Sequence, residues 1–538
     1  MRTYFLYALL LLGFLQAGAQ DVQRPKLVVG IVVDQMRWDY LYRFYGRYGK
    51  DGFKRLLGEG FSCENTFIPY LPTATAPGHS CIYTGSVPAI HGIVGNSWYD
   101  REKQRTVYCT EDSSVRSVGS SSAAGKMSPK NMWTTTVTDE LRLATNFQSK
   151  TISIALKDRG SILPGGHSSN GSYWFDNASG GWITSNYYMD DLPEWMKQLN
   201  SRKLPDAYLS QEWNTLYPIA SYTQSTRDSN VYEGKLPGED FTFPHLTSTI
   251  SRDKYESFRY TPHGCSFTFE TGKAAIEGEK LGQRNVTDFL ALSLSSPDYI
   301  GHAFGPNSIE VEDTYLRLDR DLAAFLRYLD TRIGKGPYLV FLSSDHAVAH
   351  NPGFMKDKNL PTGILESGFI KKQLNDSLQR QFNAGGIVLQ ASNHQVFLDE
   401  GVIRQQNLDK KAVKAAIISL LLKQEGVANV VDMSDLSNAS LPGRMKTMLV
   451  NSYNPKLSGD LHVIFKPQWY EGWRTGSTHS LWNPYDSHIP LIWFGWKIKP
   501  GKLHREVYMT DIAPTLAALL RIQMANGSIG EVIEEVVE

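Results

Sequence analysis

The pentapeptide Thr75-Ala76-Pro77-Gly78-His79 sets a hydroxyl two residues ahead of a proline. Proline suits the first turn of a helix, so the spacing predicts Thr75 at or near a helix N-terminus. There, free N–H groups and the helix dipole favour a phosphate; an N-cap is the plainer use of a threonine. Far away in the chain, three apolar runs end in aspartate. Asp34 closes the run that starts at Lys26, Asp298-Tyr299-Ile300-Gly301-His302 follows Phe289 to Leu294, and Asp345-His346 follows Tyr338 to Leu342. His479 stands in Gly476-Ser477-Thr478-His479. A lone Asp or His in a long chain is usually structural, but sites in open α/β sheets gather beyond the carboxyl ends of strands. Three carboxylates and three imidazoles there form a donor set for two zinc ions. A metal beside Thr75 would activate a hydroxyl that is otherwise a poor nucleophile.

Spacing adds detail. Asp298 and His302 are four apart, which one helical turn aligns. Asp345 and His346 are adjacent, so they reach one point only where the strand has ended. Lys157-Asp158-Arg159 closes the run 151–156 and is expected to present Lys157 and Arg159 on one face, an ammonium and a guanidinium fork suited to a dianionic phosphoryl group. Asn96, in Gly95-Asn96-Ser97-Trp98, is a neutral donor candidate, though an Asn after Gly is commonly a turn residue.

The elements that position these residues follow from periodicity. Segments 26–36, 151–156, 287–294, 338–343, 461–466 and 489–495 read as fully buried strands. Val311, Tyr315, Leu318, Leu322, Phe325 and Leu329 recur at helical spacing, and a second helix starts near Thr510-Asp511. The alternation predicts an α/β fold, a doubly wound, mostly parallel sheet with inserted cap segments. The expected organisation is a signal peptide at 1–19, core segments at 20–165, 281–350 and 456–538, a cap insertion at 166–280 and a second insertion at 351–455.

Lys plus Arg and Asp plus Glu number 55 each, so the formal net charge is zero and no nucleic-acid footprint is evident. Arg2, the apolar run 4–15 and Ala17-Gly18-Ala19 read as a secretory signal cleaved after Ala19. That run is too short to favour a transmembrane anchor, and export of a mature chain without a membrane span is expected. Cys63, Cys81, Cys109 and Cys265 permit two disulfides in three connectivities, or buried thiols.

Taken in order, the Asp34 strand, TAPGH, HGIVGNSWYD, KDRG, DYIGHAFGP, SSDHA and GSTHS resemble the motifs of the alkaline phosphatase superfamily. The likeness is to the phosphate-irrepressible (PafA-type) alkaline phosphatases within the phosphodiesterase/nucleotide-pyrophosphatase branch, and it covers nearly all the mature chain. It implies that Asp34, Asp345 and His346 hold one Zn2+, which also contacts Thr75, and that Asp298, His302 and His479 hold a second. By the same resemblance Asn96, Lys157 and Arg159 contact phosphate, the substrates are small-molecule phosphate monoesters, and Thr75 forms a phosphothreonine. Diesterases of the branch resemble it elsewhere but lack the Lys157/Arg159 pair, so a phosphodiesterase or nucleotide pyrophosphatase is the alternative. A sulfatase needs a Cys or Ser nucleophile followed by Pro and Arg, which Thr75 and His79 do not supply. A cofactor-independent mutase would be cytosolic, against the signal peptide. An exported binding protein with a decayed site is at odds with the intact ligand set.

Overall fold

All seven residues of Leu27–Val33 are buried, as a strand covered on both faces requires. The structure, a computed structural model, describes residues 23–236, 242–366 and 368–538; the expected signal peptide lies outside the described residues. The main sheet contains, in chain order, Leu27–Val33 (β1), Phe61–Phe67 (β2), Ser117–Val118 (β3), Thr151–Ala155 (β4), Gly171–Asp176 (β5), Gly181–Ser185 (β6), Asp288–Leu294 (β7), Tyr338–Ser343 (β8), His488–Ile489 (β9), Leu491–Gly495 (β10) and Gly501–Tyr508 (β11). Its spatial order is β9-β2-β10-β8-β1-β7-β4-β5-β6-β3, with β11 beside β2. The central run β8-β1-β7-β4-β5 is parallel, and antiparallel partners flank it, β10 on β8 and β6 on β5. The mostly parallel α/β sheet expected from the sequence is the one that forms.

Helices cover both faces: Thr75–Thr84 (α1), Asp158–Gly165 (α2), His263–Glu279 (α3), Ser296–Phe304 (α4), Ile309–Arg332 (α5) and Ile512–Leu520 (α6). Side chains of a strand alternate between faces, and β1 divides accordingly. Val29, Ile31 and Val33 join a core with Phe267 and Ile276 of α3 and Leu318, Leu322 and Phe325 of α5. Val28 and Val32 join another with Cys81 and Ile82 of α1 and Leu516 and Leu520 of α6. The 3–4 spacing predicted for the long helix is borne out, since Val311, Tyr315, Leu318, Leu322, Phe325 and Leu329 are all buried.

Register sets the site. Val32 is level with Ser293 of β7 and Ser343 of β8, and Ala155 of β4 is also level with Ser293. Four neighbouring strands therefore end together, and the segments after them emerge at one edge.

The inserted segments differ in part from expectation. Of residues 166–280, β5 and β6 extend the main sheet and α3 packs on it, which leaves the stretch between β6 and α3, with the short helices Glu194–Ser201, Leu204–Leu209 and Lys254–Phe258, outside the sheet. Residues 461–466, read as a central strand, form Leu461–Phe465 in a separate four-stranded sheet with Val388–Ser392, Gln395–Leu398 and Val427–Asp432. That sheet has its own apolar core around Leu374, Ile417 and Val463, and a mainly apolar run fits either location. The second insertion thus reaches past residue 455. The four cysteines are buried free thiols, shared among three cores, so none of the possible disulfides forms.

Candidate active site

The two ligand trios assemble at the common strand edge. The donor atoms of Asp34, Asp345 and His346 all lie within 4.8 Å of one another, as do those of Asp298, His302 and His479. Asp345 and His346 follow the end of β8, where the alternation of the strand no longer separates them. Asp298 and His302 occupy the first and last turns of α4, with His302 Nε2 3.2 Å from Asp298 Oδ1. His479 Nε2 is 3.8 Å from the same oxygen. His346 Nε2 lies 3.5 Å from both Asp34 Oδ1 and Asp345 Oδ2.

The residues present fit divalent metals. Each of the three imidazoles gives its Nδ1–H to a backbone carbonyl: His302 to Ser477 (2.8 Å), His346 to Ala347 (3.0 Å) and His479 to Thr73 (2.5 Å). That fixes the tautomer with the Nε2 lone pair aimed inward, the usual support of a ligating histidine. Asp34 Oδ1, Asp345 Oδ2 and His346 Nε2 are buried without a hydrogen-bond partner, a costly arrangement unless a cation fills their common focus. Burial and the neighbouring Asp345 push Asp34 well above the ordinary carboxylate range, with Lys157 opposing. Burial also works against Asp298, but His302 and Lys157 hold it well below that range. Crowded oxygen and imidazole donors of this kind suit a divalent metal.

Thr75 opens α1, after Ala74 in an extended conformation, as its distance from Pro77 predicts. His79 braces this turn rather than joining a trio: Nδ1 donates to the Thr75 carbonyl (2.9 Å) and Nε2 meets Ser293 Oγ (2.8 Å). A side chain at Gly78 would meet the Asp345 carbonyl at 2.4 Å, so this glycine lets the helix that begins at Thr75 approach the Asp345 loop. Asn96 Oδ1 accepts from the Ala76 N–H (2.9 Å), which leaves its amide N–H groups as the donor end beside the helix start.

Lys157 is buried and spans both trios. Its Nζ is 2.7 Å from Asp34 Oδ2, 2.5 Å from Asp298 Oδ2 and 3.3 Å from Thr75 Oγ1. Burial alone would discharge it, but Asp298 and Asp34 raise its pKa instead. The expected shared strand face is corrected here: β4 ends at Ala155, Lys157 is the residue before α2, and Arg159 lies in the first helical turn. Arg159 is half-buried and donates from Nη1 to the Tyr108 hydroxyl (3.0 Å).

Sequence reasoning passed over Gln35 and Tyr108. Gln35 has φ 66°, an uncommon backbone for a residue with a side chain. Its N–H donates to Asp345 Oδ1 (3.2 Å) and its Nε2 to Asp298 Oδ1 (2.6 Å), joining one ligand of each trio. Its position directly after a ligand at a strand end was the available signal. Tyr108 had no such signal, because a hairpin brings it to the site.

A mostly parallel α/β sheet whose aligned strand ends present two carboxylate–histidine trios to a helix-borne threonine defines a class of metal-dependent hydrolases. The chain belongs to the type I phosphodiesterase / nucleotide pyrophosphatase family, whose model matches residues 28–482. It is 54% identical to alkaline phosphatase PhoV of Synechococcus elongatus over 96% of this chain and 94% of that protein. A protein of Myroides odoratus named calcium-transporting ATPase is 52% identical, over 98% and 97%. The crystal structure of alkaline phosphatase PafA superposes with a TM-score of 0.95 at 48% identity, covering 96% of this chain and all of that one.

Proposed function

We propose that this chain is an exported, zinc-dependent phosphate monoester hydrolase, an alkaline phosphatase that acts through a phosphothreonine at Thr75 and releases inorganic phosphate. The observation that carries the reading is the placement of Lys157, a buried ammonium 3.3 Å from Thr75 Oγ1 that touches both ligand trios. Asp34, Asp345 and His346 would hold one zinc, and Asp298, His302 and His479 the other. When bound, the metals supply Lewis acidity toward the Thr75 hydroxyl and the phosphoryl oxygens.

The chain's own groups account for the rest. Thr75 gives up its hydroxyl proton as Oγ1 forms a bond to phosphorus, and the ester oxygen leaves with the bonding electron pair and takes up a proton from solvent. Water then attacks the phosphothreonine, and the Thr75 hydroxyl returns as phosphate departs. Lys157, Arg159 and the Asn96 amide donate to the phosphoryl oxygens, and the α1 N-terminus faces the same charge. The N-terminal apolar run and small residues at 17–19 support export.

A monoester brings a dianionic group, whereas a diester puts a substituent where one oxygen would be, so the cationic pair favours the monoesterase over the phosphodiesterase reading. The name of the Myroides relative implies transport; among the described residues no helix is long and apolar enough to cross a membrane. The test compares aryl monoester and aryl diester turnover in the wild type and in Lys157→Ala with Arg159→Ala. Each charge-assisted contact contributes about 1.5–3 kcal/mol, or roughly ten- to a hundredfold in rate. A collapse confined to the monoester is expected; equal losses on both substrates would overturn the assignment.

A further inference from the structure

We infer that Tyr108 is a positioning residue for Arg159, a phenol that orients the guanidinium without neutralising it and so tunes discrimination between dianionic and monoanionic phosphoryl groups. The inference rests on the monoesterase reading above. Hydrogen-bond polarity comes first. Arg159 can only donate, so at 3.0 Å the Tyr108 oxygen is the acceptor. The single phenolic proton is then committed elsewhere, to Asp158 Oδ1 at 2.8 Å. Asp158 is held in turn by Thr110, which donates from Oγ1 to Oδ2 at 2.5 Å. The sequence Arg159 to Tyr108 to Asp158, closed by Thr110, therefore runs in one direction only.

The electrostatic consequence follows. Among the described residues Arg159 has no carboxylate ion-pair partner, and its Nε has no hydrogen-bond partner. A carboxylate in place of the phenol would cancel the charge that a phosphoryl dianion needs to meet. The phenol instead keeps Asp158 one hydrogen bond removed from the guanidinium. Loss of the phenol would leave Arg159 free to turn toward Asp158, with its charge diverted from the substrate.

Tyr108 is also mechanically tied to another proposed phosphate contact. It ends the strand Arg105–Tyr108, which pairs with Ser97–Asp100 so that Tyr108 faces Ser97. The next residue, Cys109, gives its N–H to the Asn96 carbonyl at 3.0 Å. One hairpin thus carries Asn96 to the start of α1 and Tyr108 to Arg159. Its end is secured by Asn131, which donates to the Tyr108 carbonyl (3.3 Å), and by Glu111, which accepts from the Tyr108 N–H (3.0 Å).

Tyr108→Phe keeps the ring and removes only the hydroxyl, both the acceptor for Arg159 and the donor to Asp158. Monoester kcat/KM is expected to fall about tenfold, the scale of one hydrogen bond to a charged group, with weaker inhibition by inorganic phosphate and a diester loss of no more than about threefold. In an Arg159→Ala background the same substitution should add nothing, because the group it positions is gone. Thermal melting of each variant monitors folding, and Thr110→Val, which releases Asp158 without touching the phenol, should repeat the pattern in weaker form. Equal losses on monoester and diester, or additive losses in the double variant, would overturn the inference. If Arg159→Ala itself leaves the monoester preference intact, the monoesterase reading fails. If Arg159→Ala is severe but Tyr108→Phe is silent, only the positioning role fails.

Discussion

Nζ of Lys157 lies 3.3 Å from Oγ1 of Thr75. An ammonium so close to a hydroxyl favours the alkoxide form and, in the proposed function, meets the charge of an entering phosphoryl group. It keeps this position because Asp34 and Asp298 grip it from two sides. One side chain thereby links Thr75 and both carboxylate–histidine trios, and buried salt bridges of this kind are costly to break from one side.

Thr75→Ala is expected to lower turnover by on the order of a thousandfold or more, the scale seen when a covalent nucleophile is removed. Zinc content should stay unchanged, since Thr75 is not among the six main donors. Thr75→Ser retains the hydroxyl and should keep much of the activity. Rates of the two variants beside elemental analysis decide it; an Ala variant with normal turnover would exclude the role.

The metal trios tie occupancy to stability. Three buried carboxylates face one ammonium, so stripping metal should leave strong repulsion in the folded state. Chelation is expected to abolish activity and lower the melting temperature, with zinc restoring both; at a hundredfold excess over Kd, binding adds about 2.7 kcal/mol. His346→Ala should cost one metal per chain. Full turnover in protein shown to be metal-free would defeat the two-metal mechanism.

Much of this arrangement was legible in the sequence because it depends on strand ends. Asp34, Asp298 and Asp345 stand just after apolar runs, and parallel pairing makes such runs end level. The i, i+4 spacing of Asp298 and His302 likewise anticipated α4. Lys157 and Arg159 were legible as a pair but not in their geometry, since nothing local marks where β4 yields to α2. Leu461–Phe465 shows a different limit: its composition declares a buried strand but not which sheet buries it. Gln35 and Tyr108 work through backbone conformation and hairpin register, which a pattern of residue types does not encode.

Gly301 illustrates such a hidden constraint. A side chain there would meet Gln35 Oε1 at 1.8 Å, so Gln35 would have to leave its 2.6 Å bond to Asp298. Gly301→Ala should weaken metal binding at the Asp298 trio and lower activity about tenfold, the scale of disturbing an outer partner of a ligand. Gln35→Ala removes the obstacle, so the double variant is expected to bind metal no worse than Gln35→Ala alone. Metal titration of the three variants checks this, and a full additional loss in the double variant would contradict it.

Glu310 gives the pH prediction. It lies buried in the first turn of α5, 3.1 Å from His245 Nε2, with Glu233, Asp228 and Asp313 among its acidic neighbours. Burial, aided by Asp228, pushes its pKa from the ordinary 4.5 up to about 8. The folded chain therefore keeps a proton that the unfolded chain has already released. Linkage then requires stability to fall as pH rises from about 4.5 to about 8, and to level off above. Glu310→Gln cannot ionise and still offers an oxygen to His245. It should match the wild type at pH 4 and be more stable at pH 9, because it has no proton to lose between them. Denaturant melts at the two pH values measure the difference. A variant less stable than the wild type at pH 9 would mean that Glu310 is ionised in the fold and held by a partner, opposite to the burial argument made here.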